Sequence, residues 1–381
     1  MHVKEKKVEL IELFYDLIYV YAISRLTLLI EEPEGGIIPL PGFFRYLVIC
    51  FVILQAWLYL TNYVNRYGRW KWYEYVLTAV NMTAAVYMAN TIDTDWGEMA
   101  TTFNLAMLAM LLCVAMMYLV QIRLKEQDTG AAKNMLTILA VGCGLYLLAF
   151  LASVIHPGQI VLWIDVAAVL IGAFLPFFIR GNFDISIISF PHLVERFELI
   201  TIITFGEGIV GMTGFFDVNH FTLRPILVFA VILALFGCYV TQIHYLCNHH
   251  RVDRSLRLMF SHYFIVIAVN LVTVAFRFLE NPEASHLFTA GLMIAALLLF
   301  FAAIFSDRIY YHEKYRFGIK DATASCGFLL IGAAVMLLAR STIYGFLIGA
   351  LIAACGNFVM LLMKYKGAEE HENRYFDGKS E

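Results

Sequence analysis

Charge is scarce in this chain: 15% of its 381 residues are Asp, Glu, Lys or Arg, against about a quarter in a soluble domain. The net charge of −3 leaves no basic surplus, which argues against nucleic acid as a partner. The seven cysteines, Cys50, Cys113, Cys143, Cys238, Cys247, Cys326 and Cys355, contain no CxxC pair, so neither a disulfide framework nor a zinc site is written into the spacing. HExxH, Walker A and GxSxG motifs are missing as well. No loop is long enough to hold a folded domain, and no small-residue cleavage site follows the first apolar run. That run is therefore read as a retained helix.

What is abundant is apolar surface, with 61% hydrophobic residues and a mean hydropathy of +0.74. A helix needs about 20 mostly apolar residues to cross a bilayer. Twelve candidate spans run roughly over 10–30, 43–63, 73–91, 100–121, 134–155, 160–179, 192–213, 225–247, 258–279, 286–306, 321–339 and 342–363. The expected fold is all-α, a polytopic transmembrane bundle of about twelve spans.

Basic residues set orientation. Before span one and after every even-numbered span lie 21 of the 27 basic residues. They include Lys4, Lys6 and Lys7 at the start, Arg308, Lys314, Arg316 and Lys320 after span ten, and Lys364 and Lys366 at the end. The opposite side has Arg45, Arg224, Arg277 and Arg340, and its loops carry acids such as Glu31, Glu32, Glu34, Asp93 and Asp95. Both termini are expected in the cytoplasm.

The two halves resemble each other. Leu10-Ile-Glu-Leu-Phe14 aligns with Leu193-Val-Glu-Arg-Phe197, and Ala79-Val-Asn81 with Ala268-Val-Asn270. Six spans per half would give two repeats of parallel orientation. The expected division is 1–180, 181–366 and a disordered cytoplasmic tail over 367–381.

Ionisable groups inside apolar spans are expensive and need partners. Glu12 and Asp16 are one helical turn apart in span one and so share a face. Span seven supplies His192, Glu195, Arg196 and Glu198 at similar depth, then Glu207 between Gly206 and Gly208. Arg25, Asp165 and Glu207 form a candidate second level further out. Gly206-x-Gly208-x-x-Gly211 lies within an apolar span, so it reads as helix packing rather than a dinucleotide site. His244, His249, His250 and His262 gather at the cytoplasmic ends of spans eight and nine and read as interface residues. No metal or cofactor is expected. From the residues alone three roles stay open: an ion or proton pathway, a membrane enzyme acting on a lipid or isoprenoid, and a structural or sensory protein held by a salt-bridge network.

Two strings, ELFYDLIYVYAIS (Glu12 to Ser24) and HLVERFELITIITFGEGI (His192 to Ile209), resemble the low temperature requirement A (LtrA) family of bacterial membrane proteins. The resemblance implies a multi-pass protein of the bacterial cytoplasmic membrane linked to growth in the cold, a stress response. Its pattern falls on Glu12, Asp16, His192, Glu195, Arg196 and Glu207. Glu198 stands where the pattern has a small residue, and Gly208 where it has a hydroxyl residue. Of the three roles, the polar centre favours a proton-linked secondary transporter or ion pathway over an enzyme, with membrane lipids and a small ion or proton as partners and no preference for any oligomeric state.

Overall fold

A computed structural model describes residues 6–93, 95–125, 129–156, 158–178, 187–216, 221–251, 253 and 255–377. Among these, twelve α-helices follow one another without a strand: α1 (Leu10–Thr27), α2 (Leu40–Tyr67), α3 (Trp72–Asn90), α4 (Trp96–Leu124), α5 (Thr129–Ile155), α6 (Gln159–Phe178), α7 (Phe190–Val210), α8 (Arg224–Val240), α9 (Leu256–Glu280), α10 (His286–Ser306), α11 (Ile319–Leu338) and α12 (Ile343–Asp377). Each matches one expected span. Ten of them are long and apolar enough to cross a membrane. The exceptions are α1, which carries Glu12, Asp16 and Arg25 in 18 residues, and α3, whose Glu74, Asn81, Asn90 and tyrosines dilute its aliphatic side chains.

The polar stretch from Gly367, expected to be disordered, continues α12 as helix to Asp377. Ala368, Glu369, Glu370, Glu372 and Arg374 are good helix formers and no proline interrupts them. Residues 378–381 lie outside the described residues.

Contacts divide the chain into two units. The first comprises residues 1–32, 38–200 and 250–255; the second comprises 33–37, 201–249 and 256–381. The division falls within α7. In the first unit α4 packs on α3 and α5, α5 on α6, α2 on α1, α4 and α6, and α1 on α3. The buried Asn81 amide donates to the Met110 carbonyl at 2.9 Å, tying α3 to α4. In the second unit α12 packs on α8 and α11, and α10 on α9 and α11. Small residues allow the close approach of α11 and α12: a Cβ on Gly332 would lie 2.5 Å from the Gly349 carbonyl oxygen. Gly208 and Gly211 of α7 likewise face Thr273 and Arg277 of α9, where a Cβ would come within 2.9 and 2.8 Å.

The surface is inverted relative to a soluble protein. Leu148, Ile155, Leu170, Phe174, Leu330, Ile331 and Met363 are exposed, while Glu12, Asp16, Asp165, His192, Arg196 and Asp307 are all 1% exposed or less. Apolar outside with charge inside is the arrangement a hydrocarbon solvent selects.

Candidate functional site

Three helices of the first unit build a buried polar centre, each with side chains four residues apart and therefore on one face. From α1 come Glu12 and Asp16, from α7 His192 and Arg196, and from α2 Trp57, Thr61 and Asn65. Arg196 makes an in-plane fork on Asp16, with Nε 2.8 Å from Oδ2 and Nη2 2.5 Å from Oδ1. Its Nη1 donates to Glu12 Oε2 at 2.6 Å, and Nη2 also reaches the Thr61 hydroxyl at 3.3 Å. Four of the five guanidinium N–H groups therefore have named acceptors. The cation also lies over two aromatic faces, 5.6 Å from the Trp57 centroid and 5.9 Å from that of Tyr15. Their negative quadrupoles offset part of the cost of removing it from water.

The carboxylates are equally well supplied. Trp57 Nε1 donates to Asp16 Oδ1 at 2.6 Å. Glu12 Oε1 accepts from Trp70 Nε1 and from the Glu9 backbone N–H, both at 3.3 Å. Trp70 has φ of +53°, a left-handed conformation that disfavours a bulky side chain. The strain sits where the chain must turn from α2 into α3 and present its indole to Glu12. Lys6 closes the other end of this corner. Its ammonium donates to the Val64 and Gly68 carbonyls at the end of α2, a favourable place for a cation, and it attracts Glu12 and repels positive charge on His192.

His192 joins the carboxylate to a backbone joint. The Ser189 N–H donates to Asn65 Oδ1 at 3.2 Å, which fixes the amide orientation; Asn65 Nδ2 then donates to the Ser189 carbonyl at 2.8 Å. The same Nδ2 lies 3.1 Å from His192 Nδ1. Because Nδ2 can only donate, Nδ1 accepts, and the ring proton is on Nε2, which donates to Glu12 Oε2 at 2.9 Å. His192 is thus a neutral ring. Glu12, Asp16 and Arg196 sum to −1 within the centre, and half-buried Lys6 stands at its rim.

Not every acid of span seven joins in. Glu195 is exposed and Glu198 half-buried. Depth alone grouped them with Arg196, but an α-helix turns about 100° per residue; Glu195, the residue before Arg196, is turned that far away from it, and Glu198 is turned about 200°. Of the candidate second level, Arg25 and Asp165 have other partners. Arg25 Nη2 reaches the Ile92 carbonyl at 3.4 Å, and Asp165 Oδ2 accepts from Asn104 Nδ2 at 3.4 Å; no ion pair joins Arg25 to Asp165 among the described residues. Glu207 is half-buried in the part of α7 that belongs to the second unit. Among the described residues no group of three or more His, Cys, Asp or Glu side chains could hold a metal.

Sequence reasoning passed over the whole α2 contribution. Trp57, Thr61 and Asn65 recur every four residues in a largely apolar helix, and that periodicity was the available signal.

A helical bundle with apolar outer faces and ionic pairs in its interior defines an integral membrane protein. The family model described as bacterial low temperature requirement A protein (LtrA) matches residues 7–362. The chain belongs to that family. No curated protein matches it.

Proposed function

We propose that this protein is a proton-linked secondary transporter or ion pathway of the bacterial inner membrane, crossing it twelve times with both termini in the cytoplasm. The observation that carries the reading is the His192–Asn65–Ser189 chain. A second proton on His192 would sit on Nδ1 and face the Asn65 amide nitrogen, donor against donor. Relief requires the amide to turn, and turning breaks both its bonds to Ser189. Ser189 immediately precedes α7, so the proton acts on the start of the helix that carries Arg196. The Arg196–Asp16 fork, with its acceptors and donors matched, has the holding role.

A two-fold repeat is supported by matching contacts. The pairs α2–α6, α3–α4, α4–α5 and α5–α6 have counterparts in α8–α12, α9–α10, α10–α11 and α11–α12. Parallel repeats are a common transporter plan. The family's name connects the activity to growth at low temperature.

The test is proton flux in proteoliposomes under an imposed pH gradient, with a dye inside. Wild-type protein is expected to carry flux, and His192→Gln to lose it while remaining folded. Absence of flux in wild type, with a tightly bound lipid instead, would replace this reading with an enzyme acting on a lipid or isoprenoid. Flux unaffected by His192→Gln would remove the role given to the His192–Asn65–Ser189 chain.

A further inference from the structure

The second unit buries an acid of its own at Asp307, which is 0% exposed and opens the short 3-10 turn after α10. We infer that Asp307 is held as a neutral carboxylic acid, a second proton-binding position built around Ser261 of α9. The inference stands on the second unit alone and does not depend on the transport reading.

Proton counting carries it. Ser261 Oγ lies 2.7 Å from Asp307 Oδ2 and 2.9 Å from the Leu258 carbonyl oxygen. A hydroxyl has one proton, and a carboxylate and a carbonyl are both acceptors only. With Asp307 ionised, one of these two close contacts holds no hydrogen. With Asp307 protonated, its O–H donates to Ser261 Oγ and Ser261 donates to Leu258, so both are made. His262 offers no substitute proton. Its Nδ1 lies 2.7 Å from the same Leu258 carbonyl and must donate to it, while Nε2 is met by the Tyr239 hydroxyl at 2.9 Å. His262 Nδ1 is 3.3 Å from Ser261 Oγ, a longer contact than the one to Leu258.

The second Asp307 oxygen points the same way. Oδ1 has no hydrogen-bond partner among the described residues. An anionic oxygen in that position would be costly, whereas the carbonyl oxygen of a neutral acid is far less so. The charges that could compensate are placed poorly. From α9, Arg257 is exposed and spends Nη1 on the Ser306 carbonyl at 3.3 Å. Arg308, next along the turn, is exposed too. Buried Tyr311 and Cys247 carry no positive charge, and Asp321 of α11 is paired with Lys364 at 2.8 Å. A π-helical turn over Thr241–Leu246 leads into this corner, a distortion often found where function is located.

Infrared difference spectroscopy on the purified full-length protein reads the proton directly. At neutral pH, wild type minus Asp307→Asn should show the loss of one carboxylic-acid C=O band, with the small shift in heavy water that a protonated acid gives. The band should be indifferent to exchange of sodium for choline. Loss of carboxylate bands instead, or a carboxylate that requires sodium, would overturn the inference. Should Asp307→Asn fail to fold, Ser261→Ala answers the same question. It removes the acceptor of the acid proton, so the C=O band should move to higher frequency; a spectrum unchanged in the acid region would overturn the inference equally.

Discussion

Replacing Arg196 with methionine isolates the charge at the polar centre, because methionine keeps most of the apolar volume of the side chain. The change removes four donated hydrogen bonds, to Asp16 twice, to Glu12 and to Thr61. It leaves two carboxylates, each no more than 1% exposed, one turn apart on α1. Breaking a buried ion pair from one side costs about 3–5 kcal/mol, roughly two to four orders of magnitude in the folding constant. Asp16→Asn should cost less, because the Glu12–Arg196 pair survives and only one oxygen becomes a mismatched amide, about 1–3 kcal/mol. In the double variant the two losses should not add; a coupling of roughly 0.5–3 kcal/mol is expected for residues in one network. The pH dependence has a definite sign. In Arg196→Met the native centre binds a proton that the unfolded chain, with solvated carboxylates, does not. Native protons then exceed unfolded ones, so stability falls as pH rises and recovers in acid. The assay is unfolding of purified protein in one mild detergent, by denaturant and heat, at several pH values. Arg196→Met within about 1 kcal/mol of wild type, or Asp16→Asn as damaging as Arg196→Met, would refute the assignment of Arg196 as the cation that neutralises this centre.

Glu195→Gln should leave stability within about 0.5 kcal/mol of wild type, as an exposed substitution does; a loss comparable to Arg196→Met in the same detergent assay would place Glu195 in the centre after all. Gly332→Ala should destabilise by about 1–3 kcal/mol, since its Cβ meets the Gly349 backbone and α11 must move away from α12; an unchanged melting temperature would contradict that packing. In a cysteine-free background, single cysteines at Glu32 and Glu283 should react with an impermeant thiol reagent in whole cells, and those at Lys314 and Lys320 only after lysis. Labelling of the second pair in intact cells would reverse or break the proposed topology.

The helical layout was legible because hydrocarbon leaves the backbone few options, and runs of apolar residues announce each helix. The pairing of Arg196 with Glu12 and Asp16 was legible for a related reason: opposite charges at one depth in two apolar spans have few other ways to be neutralised. Depth, however, is only one coordinate. Glu195 and Glu198 shared the depth of Arg196 but not its face, and only the azimuth around α7 separates them. The α2 stripe was hidden by composition. Trp57, Thr61 and Asn65 lie in a helix with Tyr59, Tyr63 and Tyr67, and aromatic side chains near helix ends read as an interface belt. Asp307 was hidden by position, one residue past the apolar run of α10 and beside Arg308, where an acid looks solvated.

Hydrogen-bond satisfaction separates the buried acids into two kinds. Asp16 and Glu12 have a donor on every oxygen, and three of those donors are Arg196 nitrogens that cannot leave without a cost of several kcal/mol. Such a cluster is held by its own hydrogen bonds. Asp165 and Asp307 each have one oxygen without a partner among the described residues, and each shares its single named bond with a neutral group, Asn104 or Ser261. A proton held by either acid removes a buried charge instead of breaking a pair. His192 lies between the two kinds. Its Nε2 proton is bound into the ionic cluster through Glu12, while its Nδ1 faces a neutral amide that can turn. Proton exchange in this protein is therefore expected at the edges of the ionic centre and away from it, with the Arg196–Asp16 fork as the fixed point. Reversible pH effects should accordingly follow His192, Asp165 and Asp307, and substitution at Asp16 should act through stability first.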